Sequence, residues 1–380
     1  MTVPRLSLRE DYSISRVIKG NWQIADDHSS SVCDNDEMYQ HMAAFVDAGI
    51  NVFDCGDIYY GVEERIGNFI ERFRAERGAS SANAIAVHTK FIPAFLQEDD
   101  LRNLTRQQIE DSIDRSLRRL KIERLNLVQF HWWLYSIEGS VDAALVLKDL
   151  QKAGKIHHIG VTNFNVSELS KIVDAGVDVV SNQVQYSVTD GRPKNGMAEY
   201  CANNNMHMLC YGSMGGGLIG RKWKGIPDPG KPAFENVSLD KYYRIVRDFG
   251  GWALFQELLE ALADIAAAHD VAIPVVASRY VLEQPSVGAV IQGARHARHL
   301  AANLKLFSFE FSAEEKRAVE NILMRAKGPA GDCYDLDRDE NRDADEDVST
   351  EYFDVEDGKL IIRSRPPVGV AVPYGHHIKP

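Results

Sequence analysis

Short runs that are apolar on nearly every position alternate along the chain with longer stretches whose apolar residues recur every three or four. Runs of the first kind, at 15–20, 50–55, 84–89, 125–131, 157–162, 177–182, 207–211 and 287–293, predict strands. Their continuous apolarity suits parallel strands covered on both faces. Between them, 36–48, 62–76, 105–120, 140–153, 166–175, 194–204 and 252–283 predict amphipathic helices. In TRQQIEDSIDRSLRRL, for example, Ile109, Ile113, Leu117 and Leu120 share one face and the charges take the other. Gly49 and Gly154 stand where helix ends commonly need a left-handed residue.

Eight strand-then-helix units in about 300 residues predict an α/β fold, a (β/α)8 TIM barrel. Periodicity alone leaves an open doubly wound sheet as the alternative, but no GxGxxG follows the first strand to support it. The lead-in LSLREDYSIS predicts an N-terminal hairpin closing the barrel bottom. Two segments fall outside the alternation: a glycine- and proline-rich long loop after strand 7, at 212–251, and an acidic C-terminal extension from Lys327. The chain so divides into a barrel over 1–326 and an extension over 327–380.

Composition narrows the partners. A net charge of −12 leaves no basic surplus for a phosphate backbone, so no nucleic acid is expected. No window reaches the roughly 18 apolar residues of a spanning helix. MTVPRLSLREDYS carries no signal pattern, so the expected location is cytoplasmic, away from membranes. Cys33, Cys55, Cys201, Cys210 and Cys333 lack CxxC spacing, which points to free thiols and to no metal.

In such a barrel the reactive groups sit at the C-terminal ends of the strands. There the sequence puts Asp54, with Asp57, Tyr59 and Tyr60 just beyond, then Lys90, His131, Thr162 and Asn163, Asn182 and Gln183, and Tyr211. A single lysine or histidine at a strand end is ordinarily a solvated or structural residue; their convergence changes the picture. The Lys90 ammonium, held by Asp54, would favour the phenolate of a nearby tyrosine and lower its pKa, while uncharged His131 orients a carbonyl oxygen. Such a set suits protonation of an oxygen as hydride reaches its carbon.

The stretch FDCGDIYYGVEERIG resembles the signature of the aldo-keto reductase superfamily. VHTK, LVQFHW, GKIHHIGVTNF, SNQVQYS and VIQGARHARHLAANL resemble that family's later motifs in the same order, over residues 16 to about 306. The resemblance implies a tetrad of Tyr59, Asp54, Lys90 and His131, with Tyr59 as general acid in reduction and general base in oxidation; the signature's spacing selects Tyr59 over Tyr60. It implies that Thr162, Asn163 and Gln183 bond a nicotinamide carboxamide and that Tyr211 stacks on its ring. Gly212, Ser213 and Met214 follow at the cofactor, and Gly293, Arg295, His299 and Asn303 hold the adenosine phosphate, the last three spaced for one helical face.

The cofactor so implied is NADP, with NAD as the alternative, and the partner is a small carbonyl or alcohol. The activity implied is hydride transfer between nicotinamide and an aldehyde, ketone or sugar. A sugar or alcohol dehydrogenase running oxidatively, or a cofactor-bound regulatory subunit without turnover, are the alternatives. The sequence departs from the family pattern at Cys55-Gly56, at Gly212-Ser213-Met214, and at Ile291-Gln292-Gly293, where a lysine contact to the 2'-phosphate is lost and Arg295 is its candidate replacement. Trp132, Trp133 and Tyr60 are candidates for the substrate pocket, with one tryptophan expected there and the other in the core. The triple glycine at 215–217 is a candidate for phosphate contact. Asp335, Asp337, Asp339, Asn341, Asp343 and Glu346 echo a calcium loop, but Glu340 stands where the turn needs glycine, so a solvated acidic segment is expected. The resemblance also suggests that the extension covers the barrel mouth.

Overall fold

Eight parallel strands close into a barrel, seen in a computed structural model that describes residues 3–25, 34–95, 97–230, 237–294, 296–335, 353–356 and 359–362. An antiparallel hairpin of β1 (Arg5–Arg9) and β2 (Tyr12–Ser15) leads in. The barrel follows as β3 (Val17–Gly20), β4 (Val52–Asp54), β5 (Ala86–Phe91), β6 (Leu125–Phe130), β7 (Ile156–Thr162), β8 (Val179–Gln185), β9 (His207–Tyr211) and β10 (Val287–Gly293). Each strand bonds the next, and β10 returns to β3 with Val290 opposite Val17 and Gly293 opposite Gly20. Closure rules out the open sheet.

Two apolar layers hold this wall. Inside, Ile18, Val52, Ala86, Leu127, Leu209 and Ala289 pack with Leu8, Tyr12 and Ile14 of the lead-in hairpin, which plugs the end where the strands begin. Outside, Phe53, Val87, Val128 and Ile159 pack against helical residues such as Phe69, Ile113 and Leu147. Side chains alternate across a strand, so residues two and four beyond an inward one face inward as well. Two beyond Val52 comes Asp54, and four beyond Ala86 comes Lys90. Four beyond Leu127 comes His131, and two beyond Leu209 comes Tyr211. The period that fills the lower barrel with hydrocarbon delivers polar groups to its mouth.

Most helices lie where the apolar spacing puts them, at Asn35–Asp47, Val62–Arg77, Arg106–Leu120, Ser140–Lys152, Val166–Asp174 and Met197–Asn203. Thr105 opens Arg106–Leu120 with a capping box completed by Gln108. The long pattern at 252–283 is two helices, Gly251–Ala268 and Ile273–Leu282, meeting at 95°. Asp270, in left-handed conformation, and the proline near the second helix start make the break. The connection expected as loop over 212–251 contains a helix, Val237–Phe249, with Tyr242, Tyr243, Ile245, Val246 and Phe249 buried. Its flanking glycines and prolines mask the periodicity of KYYRIVRDF. Among the described residues no single helix is long and apolar enough to cross a membrane. The calcium-like spacing lies, after Asp335, outside the described residues, while a small hairpin, β11 (Phe353–Glu356) and β12 (Lys359–Ile362), stands within the acidic extension.

Candidate active site

Lys90 Nζ donates to Asp54 Oδ2 at 2.7 Å and to the Cys55 carbonyl at 2.8 Å, with both side chains buried. The other carboxylate oxygen, Oδ1, accepts from Gln129 Nε2 at 2.9 Å and from Gln183 Nε2 at 2.6 Å, and Gln183 Nε2 also donates to Gln129 Oε1 at 2.7 Å. Asp54 is thereby held on both oxygens. Gln129 is marked in the sequence only as an amide within the apolar run LNLVQF, and the barrel buries it fully.

The Tyr59 ring lies under the ammonium, 4.8 Å from Nζ to the ring centroid. Its place is set by a tight turn in which Tyr59 N donates to Gly56 O and Val62 N to Tyr59 O, ending at left-handed Gly61 before the helix Val62–Arg77. Asp57 stitches that turn to β5, its backbone N–H donating to Lys90 O and its Oδ2 accepting from Ile92 N, both at 3.2 Å. Burial pushes the Tyr59 phenol above its ordinary value, and Lys90 pulls it back only in part. The expected net lowering is therefore not found: desolvation outweighs the ammonium, and the hydroxyl keeps its proton at neutral pH. Burial acts on Lys90 in the opposite sense, but Asp54 and Tyr59 outweigh it and hold the ammonium charged, above its usual range.

His131 places Nδ1 3.0 Å from the Thr162 carbonyl, so that nitrogen carries the ring proton. With Nδ1 so protonated, a neutral ring has no proton on Nε2, and donating to a carbonyl oxygen requires the imidazolium. The expectation that uncharged His131 orients a carbonyl is revised accordingly. Trp132 is fully buried with its N–H on Ile137 O, whereas Trp133 is half-buried, bonded to Pro93 O and edge-on to Phe95. Tyr60 is exposed.

Beside the tetrad, Thr162 Oγ1 donates to Gln183 O, and Asn163, in left-handed conformation, accepts the Tyr211 hydroxyl on Oδ1 at 2.9 Å. Gln183 turns its amide nitrogen to Asp54 and Gln129. Gly212 is left-handed too, and a Cβ there would lie 2.5 Å from the Tyr242 hydroxyl. Ser213 Oγ shares a hydrogen bond with Ser278 Oγ, and Met214 precedes the Gly215–Gly217 turn. A Cβ on Gly216 would overlap Tyr242 and lie 2.8 Å from Ser238 O, so close packing of the helix Val237–Phe249 accounts for that glycine. Gly293 is exposed at the end of β10. His299 closes a 3-10 turn and Asn303 lies in the short helix Leu300–Leu304, so the clamp candidates do not share one regular helix; Arg295 lies outside the described residues.

Two further side chains reach this mouth without any local signal in the sequence. Asp332 Oδ2 accepts from Val166 N and Gly331 O from Asn195 Nδ2, and this anchoring sets the Tyr334 ring edge-on to His131, 5.7 Å between centroids. Lys241 Nζ lies 5.7 Å from the Tyr211 ring centroid and 5.5 Å from that of Tyr334. Among the described residues the cysteines 55, 201, 210 and 333 are free and buried, and Cys33 lies outside them. Burial pushes the Cys55 thiol well up, so it is not set up as a nucleophile.

A model of the aldo/keto reductase family matches residues 16–324. The aldo-keto reductase YhdN of Bacillus subtilis is 25% identical over 320 residues, covering 81% of this chain and 90% of that protein. The chloroplastic pyridoxal reductase of Arabidopsis thaliana is 27% identical, covering 75% of this chain and 76% of its own length. A glycerol dehydrogenase structure from Gluconobacter oxydans shares the fold with a TM-score of 0.70 at 24% identity, over 87% of this chain and 97% of that one. The match runs through every barrel strand, and the chain belongs to the aldo/keto reductase family, a family of nicotinamide-dependent oxidoreductases.

Proposed function

We propose that this protein is an NADP-dependent oxidoreductase that transfers hydride between the nicotinamide and the carbonyl carbon of a small aldehyde, ketone or sugar, with Tyr59 moving the proton. The observation that carries the reading is the buried Asp54–Lys90 pair seated over the Tyr59 ring. A half-buried tyrosine braced by Asn163, with the carboxamides of Asn163 and Gln183 beside it, fits a nicotinamide, and Thr162, Asn163, Gln183 and Tyr211 would hold it. When bound, that cofactor supplies the hydride.

Tyr59 gives its proton to the substrate oxygen, and Lys90 stabilises the phenolate left behind. Asp54, fixed by Gln129 and Gln183, keeps the ammonium in place. In oxidation the proton returns along the same path to the Tyr59 phenolate. NADP is supported by a relative from Schizosaccharomyces pombe named for NADP(+), whereas a relative from Escherichia coli is named NADH-specific. Choice between them falls to Arg295, His299 and Asn303.

The test is the loss of NADPH absorbance over a panel of aldehydes, ketones and sugars, with the reverse reaction run on the matching alcohols. Tyr59→Phe should lose about 100-fold or more of turnover while NADPH still binds, followed by quenching of protein fluorescence. Near-normal turnover in Tyr59→Phe would remove Tyr59 from the chemistry.

A further inference from the structure

At the end of the barrel opposite the mouth, Asp11 in the turn of the lead-in hairpin meets two consecutive histidines near the start of β7. His157 Nε2 lies 2.8 Å from Asp11 Oδ2 and His158 Nε2 lies 3.2 Å from Asp11 Oδ1. Successive strand residues ordinarily project to opposite faces, so the strand itself does not impose this convergence. The two rings are nonetheless 4.1 Å apart between centroids. Tyr12 forms the floor, stacked on His158 at 5.0 Å and edge-on to His157 at 5.5 Å, with its hydroxyl bonded to His88 Nε2.

His158 is only 6% exposed, and neither of its ring nitrogens makes a hydrogen bond. Its Nε2 comes within 3.2 Å of the carboxylate without a hydrogen bond to it. A buried polar atom left without a partner is costly and calls for an explanation.

We propose that Asp11, His157 and His158 form a binding site for one divalent transition-metal ion of the zinc class. The three ligand atoms lie within 4.8 Å of one another. Tetrahedral zinc takes imidazole nitrogen and carboxylate oxygen at about 2.0–2.2 Å, which sets ligand atoms roughly 3.3 Å or slightly more apart; the two Nε2–carboxylate separations already lie close to that, and the exposed Asp11 side chain can adjust. Two imidazoles and one carboxylate leave a coordination position for water, and imidazole selects zinc, copper or nickel over calcium or magnesium, which favour oxygen. A metal at Nε2 would give His158 the directed bond that its approach to Asp11 does not make.

The site is separate from the chemistry: His158 precedes Thr162 on the same strand by about 13 Å at roughly 3.3 Å per residue. It uses none of the cysteines, which is why cysteine spacing pointed to no metal. Its effect is to clip the turn of the plugging hairpin to the barrel wall. Glu37, His41 and His296 form a second triplet of possible ligands, but neither of its histidines carries the buried, unbonded ring nitrogens of His158.

The experiment is calorimetric titration of the chelator-stripped full-length protein with Zn2+, and visible absorption with Co2+. One equivalent should bind, cobalt should give an intense tetrahedral spectrum, and Zn2+ should raise the Tm. Asp11→Asn and His157→Ala, both at the partly exposed rim, should weaken zinc binding by roughly tenfold or more while folding by circular dichroism and turning over carbonyls as before. His41→Ala should bind zinc as the wild type does. Absence of saturable binding, equal affinity in the Asp11 and His157 variants, or loss in His41→Ala instead would each overturn the assignment.

Discussion

Lys90 Nζ and Asp54 Oδ2 lie 2.7 Å apart with 5% and 6% of their side chains exposed. Deleting one member strands the other's charge in a dry site, which costs about 3–5 kcal/mol. Lys90→Met should therefore lower the unfolding free energy by that amount, whereas Asp54→Asn combined with Lys90→Met should cost less than the sum of the single changes. Urea unfolding of the two single variants and the double variant measures the coupling, and strictly additive losses would show that the pair does not act as one.

The same lysine is what opposes the burial of Tyr59. In Lys90→Met the phenol should rise further, and the rising limb of the pH–rate profile for alcohol oxidation, where Tyr59 must lose its proton, should move to higher pH as turnover falls. A lower rate with an unmoved profile would mean that Lys90 serves Tyr59 only as a wedge.

Asp57 supplies a pH dependence of stability with the opposite sign to the usual carboxylate. Burial first, and then the neighbouring Glu63, lift its carboxyl from 3.8 to about 8, while the facing Arg115 and Arg119 pull the other way. A carboxyl raised in the fold holds its proton more tightly folded than unfolded, so its favourable contribution is complete below the unfolded value and is lost as pH rises toward the folded one. Asp57→Asn can still accept from Ile92 N and cannot ionise. Its Tm should exceed that of the wild type by a margin that grows from about pH 5 to pH 8 and then levels. A margin that shrinks toward alkaline pH would show Asp57 ionised in the native state.

Gly67 lies where the helices Val62–Arg77 and Arg106–Leu120 cross. A Cβ there would overlap Arg119 O and lie 2.9 Å from the Leu120 carbonyl carbon, both backbone. In an open helix glycine to alanine gains about 1 kcal/mol; here overpacking of about 1–3 kcal/mol or more opposes that gain and the backbone cannot step aside. Gly67→Ala should lower the midpoint of chemical unfolding, whereas Gly154→Ala, with nothing within 4 Å but a left-handed φ of 84°, should lose stability through backbone strain alone. Equal effects from larger residues at Gly67 would contradict the contact.

Tyr334 and Lys241 close over His131 and Tyr211 without belonging to the tetrad. Tyr334→Ala should change KM for bulky carbonyls several-fold and leave kcat for the smallest aldehydes near the wild-type value. Steady-state kinetics across a size series reads this directly, and a uniform fall in kcat would instead place Tyr334 in the alignment of His131.

Strand order, helix order, the lead-in hairpin and the mouth residues were legible along the chain because the two periods, 2 and 3.6, say which side each residue faces. Asp54, Lys90, His131 and Tyr211 could be read from that alone, since each lies an even step beyond an apolar residue of the barrel's inner layer. The helix Val237–Phe249 was not, because its glycine- and proline-rich flanks outweighed a short amphipathic pattern, and the break after Ala268 was not, because apolar spacing resumes across it. What only the tertiary structure decided is everything set by contact between distant segments. The Tyr59 phenol is raised rather than lowered because of how deeply the barrel buries it, which no spacing encodes. Gln129 and Gln183 converge on one carboxylate, Gly216 answers to a helix that follows it, and Tyr334 reaches His131 from the far end of the barrel's chain. Asp11, His157 and His158 meet only once the hairpin has folded under the strands. Local sequence sets the direction of each side chain; the closed barrel sets its neighbours, and with them its solvation and its charge.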